Sequence, residues 1–467
     1  MSKVILGGGL SGLSAAYYLL RKNPASCLTL IESSNRLGGW IKSNQIEDVI
    51  FEEAARTLRP RGEPGINTLE LIDELGLSNK VNPITLDSPA ARNRMIYANG
   101  QLVSLPSGIK DLFVRNPPFS KPLIRHFIKD LVTAREVNKD ESIYSFTKRR
   151  FGEEVADYLI SPLICGICAG DAKEISVNFI MKDLFEYEQK YGSIGRGMMY
   201  ALLFKKKNAL NHNALSLRAR NEKWSVYSLN GGLETLTKTL SDKIRQHKTL
   251  ELKMNSQCKE IKFGNPSASI TLDNGSIQNH EHVISSIPSY QLSNLIKNSH
   301  PELSSLLNNI KYVSVCVINL MFDENIIKKD GFGFLVPPKE KIPILGVIFD
   351  SCCFPNKTNK NVVTVMMGGK WFEEYFSHEM TEEELLTVAT KYLKLTMNVK
   401  KDPVAYKVNL LKDCIPQYKV GHNENVHKIE DYIKKNNIPL TICGCSYYGV
   451  GVNDVILSTR NMVQKIQ

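Results

Sequence analysis

KVILGGGLSGLSAAYYLLRK, residues 3–22, is the stretch on which the fold turns. Val4–Leu6 is a short apolar run, and Gly7-Gly8-Gly9-Leu10-Ser11-Gly12 leads from it into a helical pattern. Strand, glycine turn and helix in that order give the spacing Gly7-x-Gly9-x-x-Gly12 a mechanical meaning. Gly7 permits the sharp turn, Gly9 lets a pyrophosphate approach the backbone, and Gly12 lets the helix sit close to the strand. The helix N-terminus then faces the negative charge. A second strand, CLTLI, ends at Glu32, twenty residues past Gly12, where a carboxylate accepts hydrogen bonds from an adenosine ribose.

After Glu32 the chain reads Ser33-Ser34-Asn35-Arg36-Leu37-Gly38-Gly39-Trp40. This resembles the E-x-x-x-R-x-G-G element of the FAD-binding amine oxidase superfamily, in which the arginine and the glycine pair approach the flavin diphosphate. The resemblance puts FAD ahead of NAD. Far downstream, LTICGCSYYGVGVNDVILSTRNMV (440–463) repeats the order strand, glycine turn, helix. In the superfamily the N-terminus of this last helix points at the flavin, where a positive helix end favours the charge arriving on reduction.

The segments LGGGLSGLSAAYYL, ESSNRLGGWI, NRMIYANGQLVSLPSG, WSVYSLNGGLETL, HVISSIP, GFGFLVP, CIPQYKVGH and SYYGVGVND, in that order, extend the likeness over nearly the whole chain. Together they resemble the protoporphyrinogen oxidase family in its animal-type, oxygen-dependent form. The resemblance implies one non-covalent FAD per chain, contacted by Gly7, Gly8, Gly9, Leu10, Ser11, Gly12, Glu32, Ser33, Arg36, Gly39, Trp40, Ala54, Ala55, Arg56, Thr57, Cys258, Cys445, Val450, Gly451 and Val452. It also implies an oxidase acting on CH–CH groups with O2 as acceptor: protoporphyrinogen IX loses six electrons to become protoporphyrin IX, H2O2 is released, and the step is the penultimate one of haem biosynthesis. Arg94 is assigned to a substrate propionate, which a guanidinium can hold through two parallel hydrogen bonds. Phe332, Gly333, Phe334, Leu335 and Met366 are assigned to the apolar wall. No side-chain acid or base is identified, and His422 and Tyr418 read as structural residues beside the flavin. Where the family pattern is Gly-Pro-Arg-Gly, this chain has Ala54-Ala55-Arg56-Thr57. Two alternatives stand beside this reading: another flavin oxidase of the same architecture, such as an amine oxidase, and a flavin-bearing binding protein without turnover.

The expected fold class is α/β, α+β overall. A Rossmann-type FAD-binding domain is built from 1–89, 221–290 and 415–467, a helical membrane-association insertion spans 90–220, and a mixed-sheet substrate domain spans 291–414. The chain's 467 residues carry 59 Lys and Arg against 48 Asp and Glu, a net charge of +11 that favours an anionic partner. Within 110–220 there are 19 basic and 13 acidic residues, a net of +6. The segment PPFSKPLIRHFIKDLVTAREV (117–137) reads as a basic amphipathic helix able to lie on an anionic membrane. The resemblance implies a peripheral place on the inner mitochondrial membrane, a homodimer, and ferrochelatase as a partner.

The longest apolar stretch, Tyr312–Phe322, is shorter than the ~20 residues a spanning helix needs. The N-terminus enters a strand at once and leaves no room for a cleavable presequence. Ten cysteines in this pattern suit a reducing compartment rather than a disulfide framework. Cys165 and Cys168 read as core cysteines at a helix end, and no metal site is expected. Lys205–Lys207 and the following NALNHNALSLRARNEK read as a solvated loop, and the basic residues form no nucleic-acid recognition module.

Overall fold

The computed structural model describes residues 2–204, 212–264, 267–358 and 360–466. The protein is α/β and divides into two compact units: one of 1–83, 211–311 and 422–467, the other of 84–210 and 312–421.

The first unit is built on a five-stranded parallel sheet. Its order is Leu440–Ile442, His282–Ser285, Lys3–Leu6, Leu28–Ile31, Leu250–Lys253. The two strands at its heart, KVIL and LTLI, are buried throughout, as continuous apolar runs must be when both faces of a parallel sheet are covered. Helices Leu10–Lys22, Gly62–Glu74, Glu234–Arg245 and Val452–Lys465 supply the cover, and their apolar faces form one core with the sheet. A three-stranded antiparallel sheet, Cys258–Phe263, Ala268–Leu272 and Ile277–His280, completes the unit.

Helix Ala214–Asn221 corrects the expected loop. Asn213 caps it, accepting from the Ser216 amide at 2.8 Å, and Leu215 and Ala219, one turn apart, bury into the core. Leu217 points outward and the other positions are mostly polar, and that masks so short a period. Lys205–Lys207 lie outside the described residues.

The second unit carries a seven-stranded sheet in the order Ala405–Gln417, Lys311–Phe322, Asn361–Gly369, Ile344–Ile348, Gly333–Leu335, Arg94–Ala98, Gln101–Ser104. Gly333–Leu335 runs parallel to Arg94–Ala98. Helix Glu382–Met397 packs on one face. Its start is set by a capping box, Thr381 accepting from the Glu384 amide while Glu384 accepts from the Thr381 amide.

The expected amphipathic helix of 117–137 is shorter than the sequence suggests, running over Leu123–Val132. Pro117, Pro118 and Pro122 hold the preceding chain out of helical geometry, and Phe119 turns into the core instead. Beside it stand helices Ile143–Phe151, Ser161–Cys168, Lys182–Tyr191 and Ile194–Phe204. A buried ion network holds this group together. The Arg150 guanidinium, fully buried, donates to Asp130 at 2.6 Å and to the carbonyls of Thr133 and Ala134, and it lies 3.4 Å from buried Glu188. Asp130 also accepts from the amides of Ile194 and Gly195 at 3.3 and 2.8 Å, which caps helix Ile194–Phe204. Among the described residues no helix is long and apolar enough to cross a membrane.

Candidate active site

In the first unit the glycine turn follows strand Lys3–Leu6 with Gly7 at φ +98°. A Cβ on Gly12 would fall 1.9 Å from the Gly7 carbonyl oxygen, so helix and strand approach to a distance only glycine allows. Gly9 is the N-cap of helix Leu10–Lys22 and offers no side chain to its first-turn amides, nor does that turn hold an acidic residue. A Cβ on Gly9 meets nothing closer than the Gly39 Cα at 3.7 Å, and one on Gly39 would lie 2.9 Å from the Gly9 Cα. The two loops therefore touch backbone to backbone, fastened by the Gly38 amide donating to the Gly8 carbonyl at 2.8 Å. Glu32, at the end of its strand, accepts from the Gly8 amide at 2.7 Å and from the Ser34 amide and hydroxyl at 2.8 and 2.7 Å, so its carboxylate reaches into the same turn.

Arg36 is engaged locally. Its guanidinium donates to the Gly39 carbonyl at 2.5 Å and the Ile41 carbonyl at 2.7 Å, holding the glycine pair in its turn, and it lies 3.3 Å from Glu234. Burial would raise the Glu234 carboxyl, but Lys238, the Ser43 amide and Arg36 hold it below the usual carboxylate range. Ser33 and Trp40 are both exposed. Ala54 to Thr57 lead into Leu58, which exchanges backbone hydrogen bonds with Tyr227 at 2.8 and 2.9 Å, and Arg56 within this turn is buried. Cys258 is brought alongside Glu32 by its own loop, where the Asn255 and Ser256 amides donate to the Ser34 and Glu32 carbonyls at 3.1 and 3.0 Å.

The C-terminal segment returns to the same place. Gly444, at φ +103°, sits so close to Ser11 that a Cβ there would be 3.0 Å from the Ser11 hydroxyl. Lys22, at the far end of the first helix, donates to the last-turn carbonyls of Val463, Gln464 and Ile466 at 3.3, 3.2 and 2.6 Å. Helices Leu10–Lys22 and Val452–Lys465 thus run parallel, and both glycine N-caps, Gly9 and Gly451, point to the carboxyl end of the sheet. Two positive helix ends converge where open α/β sheets bind ligands. Asp454 in the first turn of the last helix accepts from the Gly451 amide, and burial holds its carboxyl above the usual range despite that bond. Burial also pushes the Cys258 thiol up to about 12 and the Cys445 thiol up to about 11, so both are neutral thiols.

Three groups that build this cradle were not singled out in the sequence. The Ser286 hydroxyl donates to the Leu6 and Gly7 carbonyls at 2.8 and 3.0 Å and pins the glycine turn from a neighbouring strand. Ser43 and Glu52 hold the start of helix Glu234–Arg245, Glu52 accepting from Ser43 at 2.6 Å and from the Leu233 amide at 2.7 Å. The only local signal was the place of Ser286 in HVISSIP, a segment matched by likeness and not by spacing.

In the second unit the predicted substrate residues separate by face. Register pairs Arg94 with Gly333, Leu335 with Gly346, and Gly346 with Met366, so Arg94, Leu335 and Met366 share one face. The Arg94 guanidinium lies over the Phe332 ring at 4.3 Å. Met366 packs beside Cys165, Val315 and Val317, and Leu335 meets helix Ser161–Cys168 at Gly166. Phe334 turns the other way: it is 2% exposed and packs edge-on to Phe349 in the core beneath helix Glu382–Met397. Gly333 is filled by backbone, a Cβ there falling 2.0 Å from the Val347 carbonyl. Cys165 and Cys168 are buried at the end of their helix, and burial raises both thiols.

A glycine turn at a helix start, a carboxylate at the end of the second strand and two convergent helix ends form the arrangement with which α/β oxidoreductases meet a phosphorylated cofactor. The Amino_oxidase profile, flavin containing amine oxidoreductase, matches residues 10–467. The chain belongs to this family of flavin-dependent oxidases, within the branch of the protoporphyrinogen oxidases. It is 38% identical to protoporphyrinogen oxidase of Bos taurus, across 99% of this chain and 98% of the bovine one. The mitochondrial protoporphyrinogen oxidase of Nicotiana tabacum is 28% identical across 98% of this chain and 93% of its own. The crystal structure of a protein from Exiguobacterium sp. 255-15 superposes with a TM-score of 0.80 at 22% identity, covering 99% of this chain and 98% of that one, and shares the fold.

Proposed function

We propose that the chain oxidises protoporphyrinogen IX to protoporphyrin IX with a non-covalently held FAD and O2. The observation that carries this is the glycine cradle with Glu32 and the paired helix ends, on a chain so similar to protoporphyrinogen oxidases along its length. When bound, the flavin supplies a two-electron acceptor that O2 restores with release of H2O2, so a six-electron oxidation takes three turnovers.

The chain's residues divide the remaining work. The amides of Leu10, Ser11 and Gly12 receive the diphosphate, and Glu32 the adenosine ribose; Cys258 lines that end. Arg36 and Gly39 shape the opposite lip of the cradle, with Trp40, Ser33 and the Ala54 to Thr57 turn around it. Cys445 and Val450 to Val452 carry the segment leading to the second helix end. Arg94 holds a substrate propionate, its guanidinium kept flat by Phe332, while Leu335 and Met366 offer apolar surface to the macrocycle. Positioning, not a side-chain base, carries the catalysis.

Conversion of protoporphyrinogen in air, read as porphyrin fluorescence above the autoxidation rate, is expected together with anaerobic bleaching of the yellow protein by the same substrate. Acid precipitation should leave the yellow cofactor in the supernatant, with the spectrum and mass of FAD. Porphyrin formation at the autoxidation rate by fully yellow protein would overturn the assignment. Arg94→Ala should raise KM about tenfold or more while leaving flavin content unchanged. An unchanged KM removes Arg94 from the propionate.

A membrane partner is part of the same proposal. Among the described residues 24 large apolar side chains stand exposed, and 15 of these fall between Ile109 and Phe204. Leu202, Leu203 and Phe204 are among the most exposed, at 84, 70 and 67%. Helix Leu123–Val132, which packs with helix Ile194–Phe204, adds Phe127, Ile128, Leu131 and Val132. A face of this kind beside basic residues supports peripheral binding to an anionic bilayer, the inner mitochondrial membrane in the reading given above, with ferrochelatase and a second copy of the chain as neighbours there. Replacing Leu202 and Leu203 together by glutamate should abolish co-sedimentation with phosphatidylcholine–cardiolipin vesicles and spare flavin content. Undiminished sedimentation would show that this face is not the docking surface.

A further inference from the structure

Helix His422–Lys435 takes no part in the cradle described above, yet two of its side chains reach the segment that joins the cradle to the last helix. His422, buried at the start of that helix, places Nε2 3.2 Å from the Tyr447 carbonyl. A carbonyl can only accept, so Nε2 is the protonated nitrogen and donates. Eight residues further along, Glu430 accepts from the Tyr448 hydroxyl at 2.5 Å. Burial and the Glu430 carboxylate both keep the Tyr448 phenol protonated. The two tethered residues are neighbours in the turn that begins at Gly444, against Ser11 of the glycine loop, and ends at Gly451, the N-cap of helix Val452–Lys465. Within it Gly444 and Gly449 both take positive φ, a conformation that glycine holds without strain.

We infer that His422 is a positioning residue for the cofactor: its hydrogen bond to the Tyr447 carbonyl, seconded by the Tyr448–Glu430 bond, fixes where the second helix end points relative to the glycine cradle. The inference rests on the flavin reading and adds to it the residue that sets the geometry of the C-terminal half of the site. Removing the donor takes away one tether between helix His422–Lys435 and the turn that leads to Gly451, and the loss falls on the cofactor rather than on the core.

The test compares His422→Leu, which keeps bulk and removes the donor, with His422→Gln, whose amide nitrogen can replace Nε2. Full-length protein is purified with its flavin, and the readouts are the flavin dissociation constant by fluorescence, the visible circular dichroism of the bound flavin, and the melting temperature of the flavin-free protein. His422→Leu should bind flavin about tenfold more weakly with altered visible dichroism, melt within a few degrees of wild type when flavin-free, and His422→Gln should restore both flavin signals. Wild-type flavin affinity and dichroism in His422→Leu would overturn the inference, as would a His422→Gln protein no better than His422→Leu. Should His422→Leu fail to fold without flavin, the role is structural and the inference falls. If the wild-type protein holds no flavin, it is the underlying reading that has failed.

Discussion

Gly12→Ala protein should emerge without flavin and with a markedly lowered melting temperature, although the substitution adds one methyl group to a helix. That methyl would lie 1.9 Å from the Gly7 carbonyl oxygen and 2.9 Å from the Ser286 hydroxyl, which itself fastens the Gly7 carbonyl. The atom in the way is backbone, so the helix must retreat from the strand and carry the first-turn amides with it. Overpacking of this kind costs roughly 1–3 kcal/mol or more. Gly9→Val separates the two effects. A Cβ on Gly9 has 3.7 Å to its nearest neighbour, so the fold tolerates the branch, but the side chain projects into the space a diphosphate needs. The expected product is a well-folded, colourless protein. Thermal unfolding and the ratio of flavin to protein absorbance distinguish the two outcomes; a Gly12→Ala protein with full colour and an unchanged melting temperature would refute the argument for close packing.

Arg150→Met should destabilise the second unit by about 3–5 kcal/mol, the cost of leaving the buried Asp130 carboxylate without its partner. Asp130 and Glu188 lose the guanidinium that lies between them, and the carbonyls of Thr133 and Ala134 lose their donor. Asp130 is also the cap of helix Ile194–Phe204, so this apolar helix should become the earliest site of proteolysis. Adding Asp130→Asn to Arg150→Met should recover part of the loss, because the orphaned carboxylate is then gone, whereas Glu188 keeps its pairing with Arg149. Acid acts on the same network. Against the rise that burial alone would give, Arg149, the Glu136 amide and Arg150 hold the Glu188 carboxyl below its ordinary value. Its contribution is therefore complete above the usual carboxylate range and is lost as pH falls through the lowered value. Urea unfolding of wild type and Arg150→Met, at neutral pH and near pH 4, measures both effects; equal stability of the two proteins at neutral pH would show the network to be dispensable.

Legibility in the sequence followed the range of the interactions concerned. Gly7, Gly9, Gly12 and Glu32 could be read because strand, turn and helix are consecutive and each residue's duty is to its near neighbours. Ser286 and His422 could not be read from spacing, since each acts on a segment distant in the chain, Ser286 on Leu6 and Gly7, His422 on Tyr447. Phe334 and Met366 looked alike as apolar residues on strands. The sheet sent them to opposite faces, because register across Gly346, where the ladder shifts, fixes which residues align. The apolar helix Ile194–Phe204 escaped notice because hydrophobicity in a helix says nothing about whether its outward face is covered.

From the order of its residues alone this chain determined an α/β fold, a glycine turn between its first strand and first helix, and an acidic residue at the end of its second strand. These depend on backbone sterics and periodicity over fewer than forty residues. Only the tertiary structure decided that the last helix lies parallel to the first with both amino ends together, that Arg94 rests on Phe332 on the Met366 face, and that so much apolar surface between Ile109 and Phe204 faces outward. Those outcomes follow from which distant segments exclude water from one another, a property of the folded chain and not of any window along it.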